Sequence, residues 1–282
     1  ALLTYKDHGA KVGVLARLIG RIEIPVFVKI TNTLSQTLRR PVKRHSALWL
    51  YRLADKMIAN SQGIKDDLTM HFGMPAGKIA VIYNPTFTQE LLEQTRQTPD
   101  HPWLTHKEAP VLISTGRLNP AKDFITLLEA FSRLQDRHPS KLIILGEGPE
   151  RQNLEEKSRE LGVEVRIDLP GYVQDPVPWI ASADVFVLSS RYEGLPNALI
   201  EALVAGNPVV STDCPSGPSE ILQKGRLGPL VSVGDAPGMA DAIASVLETP
   251  PQPELVREGL DRFRSDVVAR ENLQLMGLLG EG

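Results

Sequence analysis

Residues 189–213 read SSRYEGLPNALIEALVAGNPVVSTD. The apolar run just before them, Val185–Ser189, predicts a buried strand. Ser190–Pro196 is a loop, and Pro196 or Asn197 opens a helix that runs to Ala205. Pro208–Ser211 predicts the next strand. A strand, crossover helix and second strand in so few residues form a βαβ unit, which requires a parallel sheet covered by helices.

The same alternation runs outward in both directions. Downstream of residue 110 it predicts strands at Val111–Thr115, Lys141–Leu145, Glu164–Leu169, Val185–Ser189, Pro208–Ser211 and Pro229–Val233. Helices are predicted at Asp123–His138, Pro149–Leu161, Pro176–Ala181, Asn197–Ala205, Pro218–Lys224 and Pro237–Glu248. That is a complete doubly wound α/β domain over 110–250. Upstream, strands are expected at Ala1–Tyr5, Pro25–Ile30, Lys56–Asn60 and Ile79–Tyr83. Helices are expected at Gly9–Ile19, Ser46–Ala54 and Ser61–His71, with Ser61 as N-cap. This is too little for a full domain of the same kind, so 1–96 reads as one that lacks its beginning. Gln94–Pro110, QTRQTPDHPWLTHKEAP, is polar, carries three prolines and has no period. It reads as the connection between domains, with 97–109 as the linker, and 251–282 reads as a helical tail.

Composition excludes several classes. The chain has 282 residues with a net charge of -3, against a general nucleic-acid binder. No apolar run approaches the ~18 residues of a membrane span. The single cysteine, Cys214, excludes an internal disulfide and fits a reducing compartment. The six histidines show no zinc-ligand spacing.

In an open parallel sheet, ligands bind outside the carboxyl ends of the strands, so the loops there carry the chemistry. After the first strand of the second domain comes STGRLNPAKDF (114–124). Gly116 permits close backbone approach, and Arg117 and Lys122 suit a diphosphate at a helix start. Taken alone, they read sooner as solvated surface cations with Asp123 as helix cap. The next loop, LGEGPE (145–150), holds Gly146 and Gly148, which would let a nucleoside approach the backbone or would simply form a tight turn. Arg151 stands where a dinucleotide fingerprint wants its third glycine, against an NAD-dependent oxidoreductase. In LPGYVQDP (169–176), Gly171 and Val173 offer backbone groups to a base.

In the opening stretch, Glu193 sits in the mouth of the cleft and Glu201 about one turn into the helix. Between them the backbone N–H groups of Gly194, Leu195 and Asn197 crowd a helix start, where anions are stabilised. The expectation is a phosphate seat flanked by two carboxylates that accept hydrogen bonds from sugar hydroxyls. The alternative is two surface charges on an ordinary αβ unit.

SSRYEGLPNALIEALVAGNPVVSTDCPSGPSEIL strongly resembles the donor-site signature of the retaining, GT-B type glycosyltransferases of family 4. STGRLNPAKDF, ILGEGPERQNLE and LPGYVQDPVPWIASADVFVLSS are similar to that domain's other segments, in the same order. PVFVKITNTLSQ and ADKMIANSQGIKDDL look more loosely like the later part of the family's acceptor domain. The resemblance implies two Rossmann-like domains, the N-terminal one incomplete, and transfer of a hexose or N-acetylhexosamine from a UDP-sugar with retention. CPSGPSEIL resembles the subgroup acting on lipid-linked or polysaccharide acceptors of cell envelope synthesis, in the cytoplasm. By resemblance, Arg117 and Lys122 hold the diphosphate, Glu193 the transferred sugar, and Gly194 and Leu195 give N–H groups beside Pro196 and Asn197. Glu201 takes the ribose and Val173 meets the base. The chain contains no Asp-x-Asp, so no metal or other cofactor is expected. His8, after the first strand, sits where an acceptor-side catalytic residue would lie, although Asp7 there reads as a plain helix cap. A nucleotide-sugar-binding chain without transferase activity stays open as the alternative.

Leu38–Lys56, LRRPVKRHSALWLYRLADK, has six Lys/Arg and one Asp interleaved with Trp49 and Tyr51. It reads either as a solvated loop followed by a partly buried helix, or as a peripheral contact with anionic membrane.

Overall fold

The computed structural model describes residues 1–21, 23–37 and 48–280. The first of two sheets holds β1 (Leu2–Tyr5), β2 (Val26–Ile30), β3 (Lys56–Ala59) and β4 (Ile79–Val81), parallel and in that order. The second is larger. It holds β5 (Val111–Thr115), β6 (Lys141–Leu145), β7 (Ile167–Gly171), β8 (Val185–Leu188), β9 (Val209–Thr212) and β10 (Leu230–Val231), ordered β10-β9-β8-β5-β6-β7 and parallel throughout.

That order is the consequence of strands that are apolar on both faces. In β5, Val111 and Ile113 pack to one side and Leu112 to the other; β6 and β8 alternate in step. A sheet that must be covered twice takes helices on both faces. Phe124–Leu134 and Ala236–Glu248 cover one face, and Asn197–Ala205 covers the other. The chain builds outward from β5 to β7, then jumps back to lay β8 on the other side of β5. The crevice between the carboxyl ends of β5 and β8 is therefore the topological switch point, where ligands bind in such sheets.

Several expectations need correction. The strand expected at Glu164–Leu169 starts later, because Glu164–Arg166 winds into a 3-10 turn first. Gln89–Gln94 forms a helix capped by Thr88, which the sequence reading passed over. The polar stretch after it is not free chain. Pro102–Thr105 is a helical turn, and His101 is buried beneath Trp103 and Trp179 with Nε2 2.9 Å from Asp168. Ser61 caps Gln62–Met70 as expected, accepting from the Ile64 N–H at 3.2 Å. The helix Lys6–Gly20 follows β1 directly with Tyr5 at its N-cap, so Asp7 falls inside the first turn instead of at the cap position.

The basic–aromatic stretch is half outside the described residues, since 38–47 are not among them. Within the remainder Trp49 is 58 % exposed, but Tyr51 is 1 % exposed and part of the first domain's core, so it presents nothing to a surface. Tyr51 is the largest fully buried side chain there, and a helix against β2 and β3 needs such a residue inward more than outward. The C-terminal helix Ser265–Leu275 returns to the first sheet. Its Val268 packs with Phe27, Ile58 and Ile82, and Phe87 pairs with Arg264.

Candidate functional site

The loops after β5 and β8 are tied to each other before any ligand is considered. Ser114 Oγ donates to the Val187 carbonyl at 2.6 Å, and Ser189 Oγ to the Lys122 carbonyl at 2.7 Å. The Arg191 N–H donates to the Ala121 carbonyl at 2.8 Å, and its guanidinium pairs with buried Asp123 at 3.1 Å. Asp123 stands at the N-cap with φ +48° and makes no capping bond. Its other oxygen takes the Thr126 hydroxyl instead.

Across this frame the Lys122 ammonium meets Glu193 Oε1 at 2.6 Å, with side chains 23 % and 15 % exposed. The Ser190 hydroxyl donates to the same oxygen at 2.6 Å. The two residues come from opposite sides of the switch point. Lys122 follows β5, Glu193 follows β8, and the pair closes the crevice between them. The Lys122 stem lies over Gly116, where a β-carbon would stand 2.8 Å from Lys122 Cε. Gly116 and Arg117 line a cavity of about 460 Å³ with Thr115, Leu145, Gly146, Glu147, Tyr172, Val173 and Pro176. Arg117 is exposed and Val173 half-buried at its rim.

The two glycines after β6 serve packing first. A β-carbon on Gly146 would come within 1.9 Å of the Gly116 carbonyl oxygen, and one on Gly148 within 2.2 Å of Leu118's. Gly146 lines the cavity wall; Gly148 lies under the Leu118 backbone, which its glycine lets through. Arg151, the residue that broke the dinucleotide pattern, pairs with Glu147 and Glu155.

Glu201 is half-buried on the helix Asn197–Ala205, and its carboxyl is held above the usual range by burial and then by nearby Asp175. Asp175 lies in the same loop as Val173 and Pro176, which line the cavity. Gly194, Leu195 and Pro196 are buried at the helix entrance, and Asn197 is exposed there. In its first turn the Leu199 N–H donates to the Pro196 carbonyl at 3.1 Å, and a helix leaves the N–H groups ahead of that without an intrahelical partner. Cys214, also buried here, has its thiol pushed up to about 12 by burial and by Glu193.

The first domain reaches this loop directly, which sequence reasoning missed. The Thr33 hydroxyl donates to the Glu193 carbonyl at 2.7 Å. A β-carbon on Gly194 would stand 2.1 Å from the Thr31 carbonyl oxygen, so the glycine is the condition of this approach. Asn197 Oδ1 accepts from Asn84 at 2.8 Å and from Thr86 at 3.3 Å, so its side chain joins the domains while its N–H stays at the helix start. Glu220 accepts from the Gln62 N–H at 3.0 and 2.9 Å, capping the helix Gln62–Met70, and from the Tyr83 hydroxyl at 2.6 Å. Tyr83 is pushed up to about 12 by burial and by that bond. Of these residues Glu220 lay in CPSGPSEIL, Gly194 and Asn197 in the opening stretch, Thr31 and Thr33 in PVFVKITNTLSQ and Gln62 in ADKMIANSQGIKDDL, but none was marked for a contact between the domains. Asn84 and Thr86 lie outside every quoted segment, in the loop after β4. His8 lies in the first turn of the helix Lys6–Gly20, and its side chain is outside what the structure describes.

The family model for glycosyl transferases group 1 matches residues 109–249, half the chain, and that for glycosyltransferase family 4 matches residues 8–90. The chain belongs to the group 1 glycosyl transferases. Among its relatives is a lipopolysaccharide core biosynthesis glycosyltransferase, LpsE, of Rhizobium meliloti. It is 37% identical over 197 residues, which cover 70% of this chain and 55% of that protein. An N-acetylgalactosaminyltransferase of Campylobacter jejuni acting on a diphospho-undecaprenol is 31% identical over 71% of this chain and 52% of its own length. The chain thus spans about half the length of these curated relatives. Among solved structures, Anabaena HepE in complex with UDP superposes with a TM-score of 0.83 at 22% identity, covering 99% of this chain and 79% of that one. The apo lipopolysaccharide galactosyltransferase WaaB superposes at 0.75 with 23% identity, over 98% and 75%. The group 1 transferase described here thus has the two-domain GT-B fold, with the smaller sheet in its N-terminal domain. Among its described residues no helix is long and apolar enough to cross a membrane.

Proposed function

We propose that this transferase takes its sugar from a UDP-sugar and passes it, with retention of configuration, to a lipid-linked or polysaccharide acceptor in cell envelope synthesis. The observation that carries this is the Lys122–Glu193 pair spanning the switch point beside the cavity lined by Gly116 and Arg117. The UDP complex of HepE and the acceptor named for the Campylobacter relative support the donor and the acceptor class. In this reading Lys122 exchanges Glu193 for the diphosphate when the donor arrives, and Arg117 closes over it from the rim. Two cations and a helix start then stabilise the negative charge growing on the leaving diphosphate, so no metal is needed. Freed from Lys122, the Glu193 carboxylate faces the sugar as it gains positive charge. The departing phosphate takes the acceptor proton, and Glu201 accepts from the ribose.

The cytoplasmic face of the membrane is where such an acceptor would be met; exposed Trp49 supports a peripheral contact and buried Tyr51 does not. Isothermal titration with UDP, GDP, ADP and NAD, with and without EDTA, tests the donor reading. UDP is expected to bind best and EDTA to change nothing; preference for NAD, or loss of UDP binding in EDTA, overturns it. Lys122→Ala is expected to weaken UDP by ~1.5–3 kcal/mol, the range for a charge-assisted contact. UDP binding with neither donor hydrolysis nor transfer would favour the binding-only reading instead.

A further inference from the structure

The Glu193 carboxylate is held by Lys122 and Ser190, but its backbone is held from the other domain. β2 ends at Ile30, and the short helix Leu34–Thr37 begins three residues after Thr31. Buried Asp67 fixes that turn by accepting the N–H groups of Leu34 at 2.9 Å and Ser35 at 3.2 Å. The turn is thus a rigid part of the first domain. It presents the Thr31 carbonyl against the Gly194 α-carbon and the Thr33 hydroxyl, 6 % exposed, to the Glu193 carbonyl at 2.7 Å. On its other side the Glu193 N–H reaches the Pro215 carbonyl only at 3.4 Å, a long bond that fixes little. Thr33 is therefore the short, near-buried contact on the Glu193 main chain.

This matters once a diphosphate competes for Lys122. The side chain then keeps one of its two holds, Ser190, and its direction depends on where the backbone sits. We infer that Thr33 is a positioning residue for the transferred sugar: it sets the Glu193 backbone from the opposite domain, so that sugar recognition at Glu193 is complete only when the domains are together. This rests on the donor-site reading above. It adds a residue that touches neither nucleotide nor sugar.

The test is a comparison of ratios. UDP, UDP-glucose, UDP-galactose and UDP-N-acetylglucosamine are titrated into the parent, Thr33→Val, Thr33→Ser and Glu193→Gln, and Kd(UDP-sugar)/Kd(UDP) is taken for each. Thr33→Val keeps the shape and loses the donor; it is expected to raise the ratio about fivefold for the sugar the parent binds best, in the same direction as Glu193→Gln. UDP itself should hold within twofold, and Thr33→Ser, which restores the hydroxyl, should return the ratio to the parent's. If Thr33→Val does not fold, Thr33→Ala replaces it. An unchanged ratio, an equal loss of UDP and UDP-sugar, or no rescue by Ser each overturns the inference while leaving the donor site intact. Failure of the parent to bind UDP overturns the donor reading, and the inference with it.

Discussion

Glu193→Gln separates three quantities that a surface carboxylate would leave alone. The first is stability. The substitution turns a 2.6 Å ion pair between side chains 23 % and 15 % exposed into a neutral contact. A charge-assisted contact contributes about 1.5–3 kcal/mol. The Gln oxygen still accepts from Ser190 and Lys122, and the ammonium keeps some water, so the net loss should be about 1–2 kcal/mol. In a chain of this size that lowers Tm by roughly 2–6 °C. The second is nucleotide affinity. In the proposed exchange a diphosphate displaces Glu193 from Lys122 in the parent; in the variant it need not. UDP should bind at least as tightly to Glu193→Gln, against the habit that mutating a binding residue weakens binding. The third is chemistry. A carboxylate facing a sugar that becomes oxocarbenium-like stabilises the transition state more than the ground state. Losing about 2–3 kcal/mol of that slows UDP release from the donor by roughly 30–150-fold. The assays are thermal melting, calorimetric titration with UDP, and UDP release from the donor, on parent and variant together. A tenfold or greater loss of UDP affinity, or an unchanged release rate, would refute the exchange of partners at Lys122.

The other expectations concern the supports around the pair. Glu201→Gln should raise the donor KM with little change in kcat, because the ribose contact proposed for it would be the same in ground and transition states. Its carboxyl is raised in the folded protein, so ionising it costs stability above that raised value and costs nothing below the unfolded one; the variant should melt higher than the parent at neutral pH, with the gap closing as pH falls through the raised value. Gly146→Ala drives a β-carbon to 1.9 Å from the Gly116 carbonyl at φ +142°, and should destabilise by about 3 kcal/mol or more, read by urea unfolding. Glu220→Gln should bring the Tyr83 ionisation down from about 12, seen in the alkaline absorbance titration of the tyrosines, and weaken the cap of Gln62–Met70 by about 1 kcal/mol.

The second domain was legible because its strands are bounded apolar runs with turn residues at each end. Val111–Thr115, Lys141–Leu145 and the helix Asn197–Ala205 fall on the expected residues. The pairing of Lys122 with Glu193 was not legible. Both residues were singled out, but the strand order that brings the loops after β5 and β8 together is not written in either loop. Thr33 and Asn84 act across the domain junction, over separations of 160 and 113 residues, and no periodicity reports on contacts of that range. The burial of His101 was not legible in the polar stretch 94–110, because it depends on Trp103 and on Trp179, which lies far along the chain. Gly146 and Gly148 were marked either for a nucleoside's approach or for a tight turn, and the closest neighbours they admit are the protein's own carbonyls.

The return of the C-terminal helix to the first sheet sets an order in time. Phe27, Ile58 and Ile82 are made early, yet the face they share is covered by Val268, Leu275 and Met276. Between Ile82 and Met276 lie 194 residues of further synthesis (276 − 82). At roughly 5–20 residues per second that is on the order of 10–40 s. During that time the second domain can fold behind the first, since both of its faces are covered by residues before 264. The first domain is made before the second and is completed after it, with an apolar sheet face open to chaperones and to other nascent chains until the helix Ser265–Leu275 arrives.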